Sequence, residues 1–384
     1  METIKAGVIG TGFIGPAHIE ALRRLGCVEV VGLAEYSEEV AEAKAAELHI
    51  PQAYGDYRDL LDAKDIQTVH ICSPNNLHHK MAKAALQAGK HVICEKPLAI
   101  SIDQAQDLVS LAAQTGLVNA INFNIRYYPL MRQVRLMVET GDMGDVFAVH
   151  GSYLQDWLFH PTDYNWRLET DLSGDLRAVA DIGTHWMDLI TYVTGLKIKS
   201  VFADMATFHK IRKKPLKPVE TYAGKLLAPD DYQDIPIATE DYATILFEFE
   251  NGGRGVLTVN QVAAGRKNRC SFEIDGSKQA VAFDSETPNQ LWIGKRDSNN
   301  EILIKDPSLA TPEAQALMAY PGGHTEGFPD TFKQLYAEVY AAVRENKMPN
   351  TPPFPTFREG LQELVVCEKI KQSHQERRWV DIEE

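Results

Sequence analysis

Residues 4–15 read IKAGVIGTGFIG, and this stretch decides the fold of the first part of the chain. An apolar run of strand length leads into a Gly-x-Gly-x-x-Gly motif, and a helical pattern follows as far as Leu25. Strand, glycine motif and helix stand in the order that a dinucleotide-binding turn requires. Its three glycines allow a tight bend, close approach of a pyrophosphate and close packing of the helix on the strand. The predicted contacts of this turn are Gly10, Gly12, Phe13, Ile14 and Gly15.

An acidic residue ends the second predicted strand and indicates which dinucleotide is bound. Glu35 follows the run Val28–Ala34 and lies 20 residues beyond Gly15. A carboxylate at this place accepts hydrogen bonds from the ribose hydroxyls of NAD and would repel a 2′-phosphate. Tyr36 comes next, and no arginine follows closely. The sequence therefore favours NAD over NADP, with Glu35 and Tyr36 as cofactor contacts.

Strand and helix patterns alternate as far as residue 126, which predicts a parallel, doubly wound Rossmann sheet. Turns follow three later strands, at 73–76, 95–97 and 122–124. The carboxyl ends of parallel strands share one edge, so these turns should open on the same side as the glycine turn. The further cofactor contacts predicted there are Ser73, Pro74, Asn75, His78, Glu95 and Lys96.

Lys96 is the best single clue to chemistry, because it ends the apolar run 91–94 and stands directly before Pro97. Proline disfavours helical geometry at the preceding residue, so Lys96 should be extended at the carboxyl end of its strand. A surface lysine that merely ends a strand is the competing interpretation. Lys96 shares its sheet edge with the glycine turn, however, and this favours a position near the nicotinamide.

The pattern changes after Tyr127, where strands follow one another with few helices between them. Residues 251–253 read as a hairpin turn, which predicts a mostly antiparallel sheet with one face covered by helices and the other open for oligomer contacts. We therefore expect a Rossmann domain over 1–126 and an α+β substrate-binding and oligomerisation domain over 127–384. Helices are expected at 327–345 and 357–373, and a short strand at 378–381.

The segment 209–236 reads as irregular. Its basic residues alternate with prolines, which favours a solvated loop over a specific anion or partner site. The residues concerned are Lys210, Arg212, Lys213, Lys214, Pro215, Lys217 and Pro218.

Composition restricts the classes of function. The 384 residues are 44% hydrophobic, enough for two cores, and the net charge of −14 argues against nucleic acid or an anionic membrane as partner. We find no apolar stretch of membrane-spanning length and no signal-peptide pattern at the N-terminus. The five cysteines show no Cys-x-x-Cys spacing, which is typical of a reduced, cytoplasmic protein.

A second chemical cluster combines Asp181 and His185. Their spacing of four puts them on the same face of a helix, where the carboxylate can hold the tautomer of the imidazole or stabilise its cation. An ordinary buried helix pair and a metal site are the competing interpretations. Neither His18 nor the His78-His79 pair completes a convincing ligand spacing, so we predict no metal.

The glycine motif, Glu95-Lys96-Pro97 and Asp181-x-x-x-His185, in this order, resemble the Gfo/Idh/MocA family of oxidoreductases across nearly the whole chain. The resemblance implies a Rossmann domain with a mostly antiparallel second domain, NAD or NADP as cofactor, and oxidation of a secondary hydroxyl of a sugar or cyclitol. It also implies a homodimer or homotetramer and a catalytic triad of Lys96, Asp181 and His185. The Trp166-Arg167 and Gly323-His324-x-Glu326-Gly327 segments are similar to those of inositol and pyranose dehydrogenases. Together with 153–157, they combine hydrogen-bonding groups with aromatic faces, as a pyranose or cyclitol would need. The predicted substrate contacts are Lys96, Asn122, Tyr153, Gln155, Arg167, Asp181, His185 and His324.

Hydride transfer from a carbinol requires a base for the hydroxyl proton. His185 is the predicted base with Asp181 as its partner, and Lys96 the donor to the reacting oxygen, although the roles of His185 and Lys96 could be exchanged. Two other functions stay open: an NADPH-dependent reductase of a keto-sugar, and a nucleotide-sensing protein without turnover.

Overall fold

The structure, a computed structural model, describes residues 3–216 and 231–382. Contacts between residues divide the chain into two compact units, the first formed by 1–124 and 328–364 and the second by 125–327 and 365–384. The expected division at residue 126 takes no account of the return of 328–364 to the first unit. Packing of the helix Phe328–Arg344 against the helix Ile14–Leu25 explains this return.

The elements of the described residues are numbered in chain order. The strands are β1 Ile4–Ile9, β2 Val28–Ala34, β3 Gln52–Tyr54, β4 Thr68–Ile71, β5 His91–Cys94, β6 Asn119–Ile121, β7 Val146–Leu154, β8 Ile198–Ala206, β9 Ile211–Pro215, β10 Tyr232–Pro236, β11 Tyr242–Phe249, β12 Arg254–Asn260, β13 Arg269–Gly276, β14 Ala280–Asp284, β15 Gln290–Gly294, β16 Glu301–Ile304 and β17 Val380–Asp381. The helices are α1 Ile14–Leu25, α2 Glu38–Glu47, α3 Tyr57–Asp62, α4 Asn75–Gln87, α5 Ile102–Thr115, α6 Met131–Glu139, α7 Thr170–Ser173, α8 Thr184–Thr194, α9 Pro312–Gln315, α10 Phe328–Arg344 and α11 Phe357–Glu376.

The first unit contains a six-stranded sheet in the order β3-β2-β1-β4-β5-β6, and every neighbouring pair is parallel. β4 and β5 are buried along their whole length, as expected for strands covered by helices on both faces. The order reverses at β1 and β4, the switch point at which such sheets bind ligands. The predicted Rossmann sheet is confirmed.

Local sequence explains where the helices of this unit begin and end. Ser37 and Ser101 precede α2 and α5, and their side chains accept hydrogen bonds from backbone amides in the first turn. Gly26 and Gly116 end α1 and α5 in the left-handed conformation, which glycine adopts without a steric penalty.

The second unit contains a nine-stranded sheet in the order β16-β15-β14-β13-β7-β12-β11-β8-β17. Its neighbours are antiparallel except for the parallel pair of β7 and β12, which confirms the predicted mostly antiparallel sheet. Burial alternates along β11, β12 and β13, so one face is buried and the other is partly exposed. Residues 251–253 form the expected turn between β11 and β12.

The expectation of an irregular loop at 209–236 is wrong in the described part of that segment. β9 and β10 pair as antiparallel strands, with Pro215 and Pro236 at the ends of their strands, where proline is tolerated. Arg212 is fully buried on β9 rather than solvated, because Asp241 and backbone carbonyls accept its hydrogen bonds. Lys217 and Pro218 lie outside the described residues.

Among the described residues, we find no helix that combines the length and the apolar character needed to cross a bilayer.

Candidate active site

The glycine turn between β1 and α1 has the geometry that a bound dinucleotide requires. Gly10 has a φ of +89°, and a Cβ there would lie 2.9 Å from the carbonyl oxygen of Cys72. A Cβ on Gly15 would lie 2.3 Å from the carbonyl oxygen of Gly10, so only glycine lets α1 begin this close to the turn. A Cβ on Gly12 would meet nothing within 4 Å, which leaves the backbone there open to a ligand. These residues fit the pyrophosphate of NAD.

The groups around the turn agree with this fit. Phe13 precedes α1 with 54% of its surface exposed, and Ile14 is the first residue of the helix. Phe13 at the N-cap makes no side-chain cap hydrogen bond, and α1 begins directly after the glycine turn, as in helices whose N-termini bind anions. Glu35 Oε1 accepts hydrogen bonds of 2.6 Å from both the backbone amide and the hydroxyl of Thr11, which holds the carboxylate against the turn.

Tyr36 follows Glu35 with 83% of its surface exposed, so its ring lies in solvent and could cover an adenosine. Its contact with the cofactor stays a prediction.

His78 joins two of the three later turns at the carboxyl edge of the sheet, those at 73–76 and 95–97. Its Nε2 lies 2.9 Å from the carbonyl oxygen of Ser73, and its Nδ1 lies 2.7 Å from the carbonyl oxygen of Pro97. Burial lowers the pKa of His78 even though both carbonyls favour the charged ring. Pro74 and Asn75 lie between these groups, at the start of α4. His78 therefore holds the turns together from inside, and a direct cofactor contact stays a prediction.

Glu95 anchors the turn that carries Lys96. Its Oε1 accepts hydrogen bonds from His18 Nε2 at 2.8 Å and from Asn122 Nδ2, and its Oε2 accepts one of 3.2 Å from the backbone amide of Lys96. Burial raises the pKa of Glu95, but the His18 bond, the Lys96 charge and the Asn122 bond together hold it below its ordinary value. The Lys96-Pro97 bond is cis. Glu95 is thus a buried carboxylate beside a half-buried lysine at the carboxyl edge of the sheet.

Asn122, a predicted substrate contact, is buried in the same unit. Its Nδ2 donates to Glu95, and its Oδ1 accepts a long hydrogen bond of 3.4 Å from the Tyr336 hydroxyl. The structure therefore gives its amide two partners inside the first unit.

The free energy of unfolding should decrease as the pH is lowered, because two buried histidines resist protonation. Burial and the neighbouring His18 lower the pKa of His70 well below 6.5, and burial lowers that of His78. The unfolded chain binds more protons than the folded one below about pH 6.5, so each histidine should cost up to about 1.4 kcal/mol per pH unit of acidification. Urea unfolding at pH 7.5, 6.5 and 5.5 gives the free energy of unfolding at each pH. Its slope against pH should be smaller for His70→Asn than for the wild type. Equal slopes would show that His70 does not resist protonation.

The spacing predicts that Asp181 and His185 share one α-helix. In the second unit, however, they do not belong to one regular α-helix. Asp181 lies in a π-helical turn at Val179–Gly183, and His185 lies in the first turn of α8. The Glu240 carboxylate accepts hydrogen bonds from the backbone amides of Arg177 and Val179 and fixes the entry to this turn. Single π-turns inside helices occur frequently at functional sites.

Asp181 has two partners that the sequence did not indicate. Its Oδ1 accepts a hydrogen bond of 3.2 Å from Arg167 Nε, and its Oδ2 accepts one of 3.0 Å from Gln261 Nε2. The guanidinium of Arg167 also lies 4.6 Å from the centre of the Trp166 ring. Asp181 and Arg167 therefore form one polar cluster, and the action of Asp181 on His185 stays a prediction.

Tyr153 lies beside His185, with 6.4 Å between the ring centres. Burial, with smaller contributions from Cys270, Tyr128 and Asp181, raises the pKa of Tyr153 well above its ordinary value, so its phenol stays protonated. Gln155 is buried two residues further along, and its Nε2 donates a hydrogen bond of 2.8 Å to Asn268. The structure thus places Tyr153, Arg167, Asp181 and His185 in one region. Gln155 lies next to this region, and its Oε1 accepts a hydrogen bond of 3.5 Å from Gln261 Nε2.

His324 is exposed, but the segment that carries it is held in place by a buried lysine. Lys305 Nζ donates to the carbonyl oxygen of His324 at 2.9 Å and to Glu326 Oε2 at 2.6 Å, and both charged side chains are buried. This ion pair holds the backbone that carries His324, whose contact with substrate stays a prediction.

A buried ionic cluster fastens the segment before Asp181. Asp241 Oδ1 accepts hydrogen bonds from Arg177 and from Arg212, the latter of 2.8 Å, and all three side chains are fully buried. Arg212 also donates to the carbonyl oxygens of Leu158 and His160. The cluster thereby holds the loop that leads to Arg167. Sequence reasoning missed it because its members are far apart in the chain.

Within residues 3–216 and 231–382, one group of His, Cys, Asp or Glu side chains has ligand atoms close enough to share a metal ion. It consists of His150, Glu273 and Asp275 and contains none of the predicted catalytic residues.

The glycine turn on a parallel sheet, with a carboxylate after the second strand, defines a dinucleotide-binding fold. A family model described as "Oxidoreductase family, NAD-binding Rossmann fold" matches residues 4–123, and one described as "GFO/IDH/MocA C-terminal domain" matches residues 131–282. The chain therefore belongs to the Gfo/Idh/MocA family of oxidoreductases. The predicted family, enzyme class and cofactor NAD are confirmed.

Several relatives match the chain over its full length. Levoglucosan dehydrogenase of Pseudarthrobacter phenanthrenivorans is 28% identical over 100% of this chain and 99% of its own. A crystal structure of an oxidoreductase domain protein from Kribbella flavida has a TM-score of 0.89 at 32% identity, covering 100% of both chains. A structure of levoglucosan dehydrogenase in complex with NADH and levoglucosan has a TM-score of 0.88 at 26% identity, also covering 100% of both chains.

Proposed function

We propose that this protein oxidises a secondary hydroxyl of an unphosphorylated sugar or cyclitol and passes the hydride to NAD. The observation that carries the proposal is the cluster of Tyr153, Arg167, Asp181 and His185 in the second unit. It combines an imidazole, a carboxylate, a phenol that stays protonated and a guanidinium, which together suit a ligand rich in hydroxyl groups. The full-length similarity to levoglucosan dehydrogenase supports the same class of substrate.

Each catalytic residue has a distinct task in this proposal. His185 takes the proton of the reacting hydroxyl, and Asp181 stabilises the charge that this creates. Lys96 donates a hydrogen bond to the same oxygen and stabilises its developing negative charge. A bound nicotinamide supplies the hydride acceptor. Glu95 accepts a hydrogen bond from the backbone amide of Lys96, and this fixes the backbone from which the lysine side chain extends.

An unphosphorylated substrate is favoured because the guanidinium of Arg167 is already paired with Asp181 and lies over Trp166. A phosphate would have to compete with the Asp181 carboxylate for this cation, whereas a hydroxyl can share it. Tyr153, Gln155, His324 and Asn122 complete the proposed substrate contacts. Gln155 and Asn122 are held by neighbouring amides and carboxylates, and this gives them fixed orientations.

A substrate panel tests the proposal. Purified protein is mixed with NAD and with pyranoses, anhydrosugars such as levoglucosan, inositols and sugar phosphates, and NADH absorbance is followed. We expect turnover with at least one unphosphorylated compound and slower turnover with its phosphate. Activity only with sugar phosphates would contradict the substrate class. NAD binding without any turnover would favour the nucleotide-sensing alternative.

Glu35 should determine the preference for NAD. Hydrogen bonds to a charged group contribute about 1.5–3 kcal/mol, so Glu35→Ala should weaken NAD binding by about ten- to a hundredfold and raise the affinity for NADP relative to NAD. Dissociation constants for both cofactors measure this, with the exposed Glu39→Ala as matched control. Tighter binding of NADPH than NADH by the wild type would instead favour the keto-sugar reductase alternative.

We also propose a cytoplasmic homodimer or homotetramer that assembles through the partly exposed face of the nine-stranded sheet. All five cysteines are free thiols, which agrees with a reducing compartment. Sedimentation analysis decides the oligomeric state, and a monomer at micromolar concentration would contradict it.

A further inference from the structure

A continuous line of buried polar side chains runs through the first unit and takes no part in the chemistry described above. His18 Nε2 lies 2.8 Å from Glu95 Oε1, and His18 Nδ1 lies 2.9 Å from His70 Nδ1. His70 Nε2 lies 3.0 Å from the Tyr340 hydroxyl, which lies 2.8 Å from the Thr68 hydroxyl. Each of these five residues is at most 7% exposed. Four hydrogen bonds therefore join Glu95 to Thr68.

The line crosses from one edge of the parallel sheet to the other. Glu95 follows β5 at the carboxyl edge, beside Lys96, whereas Thr68 is the first residue of β4 at the amino edge. Thr68 and His70 are two residues apart on β4 and share a face. At the amino edge, Gln67 helps to line a cavity of about 810 Å³ together with Lys90, His91 and Arg344. The line thus connects the catalytic edge with the neighbourhood of a polar cavity.

The hydrogen atoms of the line have two complete arrangements. When Glu95 is ionised it can only accept, so His18 carries its hydrogen on Nε2, and His70 must donate from Nδ1. Tyr340 then donates to His70 Nε2, and Thr68 donates to Tyr340. When Glu95 is protonated it donates to His18, and every hydrogen bond in the line reverses. The two arrangements differ by one proton at Glu95.

We infer that Glu95, His18, His70, Tyr340 and Thr68 form a proton relay that carries the proton released by alcohol oxidation away from the catalytic edge. The inference rests on the proposed function, because oxidation of an alcohol by NAD yields a ketone, NADH and one proton. In the relay, the adjacent Lys96 ammonium gives a proton to Glu95 and is recharged by the proton that the oxidation releases. Glu95 then passes a proton to His18 Nε2 as His18 Nδ1 passes one to His70 Nδ1. His70 Nε2 then passes one to Tyr340, Tyr340 to Thr68, and Thr68 to a water molecule at the amino edge. Every group ends with its original charge.

The titratable groups packed around the relay leave it free to work near neutral pH. They are Lys96 and Cys94 beside Glu95, His78 from α4, Cys72 after β4 and Tyr336 from α10. Burial, with the nearby Glu95 charge, raises the pKa values of Cys72, Cys94 and Tyr336 well above their ordinary values, so these three stay neutral. Burial and His18 lower the pKa of His70, which keeps its ring neutral, as both arrangements require.

Tyr340→Phe tests the relay, because it removes a single oxygen from the line and keeps the ring. In weak buffer we expect kcat to fall by about tenfold, with proton release, followed by a pH indicator, slower than in the wild type. Added imidazole should restore the rate, because a diffusible base replaces the relay. Tyr336→Phe is the matched control: this residue packs on both histidine rings from the same helix, at 5.2 and 4.9 Å, but lies outside the line. Its rate should not depend on imidazole.

Two results would overturn the relay. One is a Tyr340→Phe variant with the wild-type rate and proton release in weak buffer, and the other is a loss that imidazole does not restore. A wild type that forms no NADH with any alcohol would instead show that the proposed function has failed. In that case ¹⁵N spectra of labelled histidines still decide the hydrogen arrangement: at pH 7 we expect His18 protonated at Nε2 and His70 at Nδ1, and the opposite tautomer of His70 would contradict the line.

Discussion

Replacing Lys96 with methionine should lower kcat by about 10²- to 10³-fold, the usual cost of removing a donor to a developing oxyanion. Methionine keeps most of the length and the apolar stem of the side chain, so the change removes mainly the ammonium group. The buried Glu95 carboxylate remains in place to hold the turn through the backbone amide of residue 96. Binding of NAD should therefore change far less than turnover, and steady-state kinetics with a measured dissociation constant for NAD separate the two.

Lys80→Met is the matched control for this experiment. Lys80 is exposed on α4 in the same unit, so its loss should change kcat by less than about twofold. If Lys96→Met keeps more than a tenth of the wild-type kcat, Lys96 is only a surface lysine that ends a strand. If it loses turnover and NAD binding together, its role lies in the cofactor site rather than at the reacting oxygen.

Replacing Asp241 with asparagine should lower the free energy of unfolding by about 3–5 kcal/mol, the cost of breaking a buried ion pair by removing one partner. Asp241 accepts hydrogen bonds from Arg177 and Arg212, and its Oδ2 accepts others from the backbone amides of Phe208 and His209. Burial raises the pKa of Asp241, but the two arginines outweigh it and hold the pKa below its ordinary value. The variant would leave both guanidinium groups buried without their carboxylate. Urea unfolding at pH 7 measures the loss.

A matched control lies on the paired strands β9 and β10. Asp234 pairs with Lys213 at 2.6 Å, but both side chains are about half exposed. Asp234→Asn should therefore cost less than about 1 kcal/mol. Similar losses for the two variants would show that the buried cluster contributes no more than an ordinary surface pair.

Sequence reasoning predicted the architecture because its signals are local. The glycines at 10, 12 and 15 allow a backbone path that other residues would block, and the structure shows the close approaches behind this. Alternation of strands and helices distinguished the parallel sheet from the antiparallel one. The parallel pairing of β7 with β12 carries no such signal, because it joins strands that lie about a hundred residues apart.

The sequence could not predict which polar side chains are buried together. Arg212 stands among lysines and prolines and reads as part of a solvated loop, yet Asp241 neutralises it from another strand. His18 and His70 likewise lie on separate elements, and their contact depends on how α1 packs against β4. The partners of Asp181, Arg167 and Gln261, were missed for the same reason. Burial of a charge depends on its partner, and partners distant in sequence leave no periodic trace.

We propose above all that Lys96 and His185 act on one hydroxyl. The double variant Lys96→Met/His185→Asn tests it most directly, by single-turnover NADH formation compared with both single variants. Residues that act as one unit lose far less together than the product of their separate losses. We therefore expect the double variant to fall within about tenfold of the slower single variant. A loss equal to the product of the two single losses would contradict a shared catalytic centre.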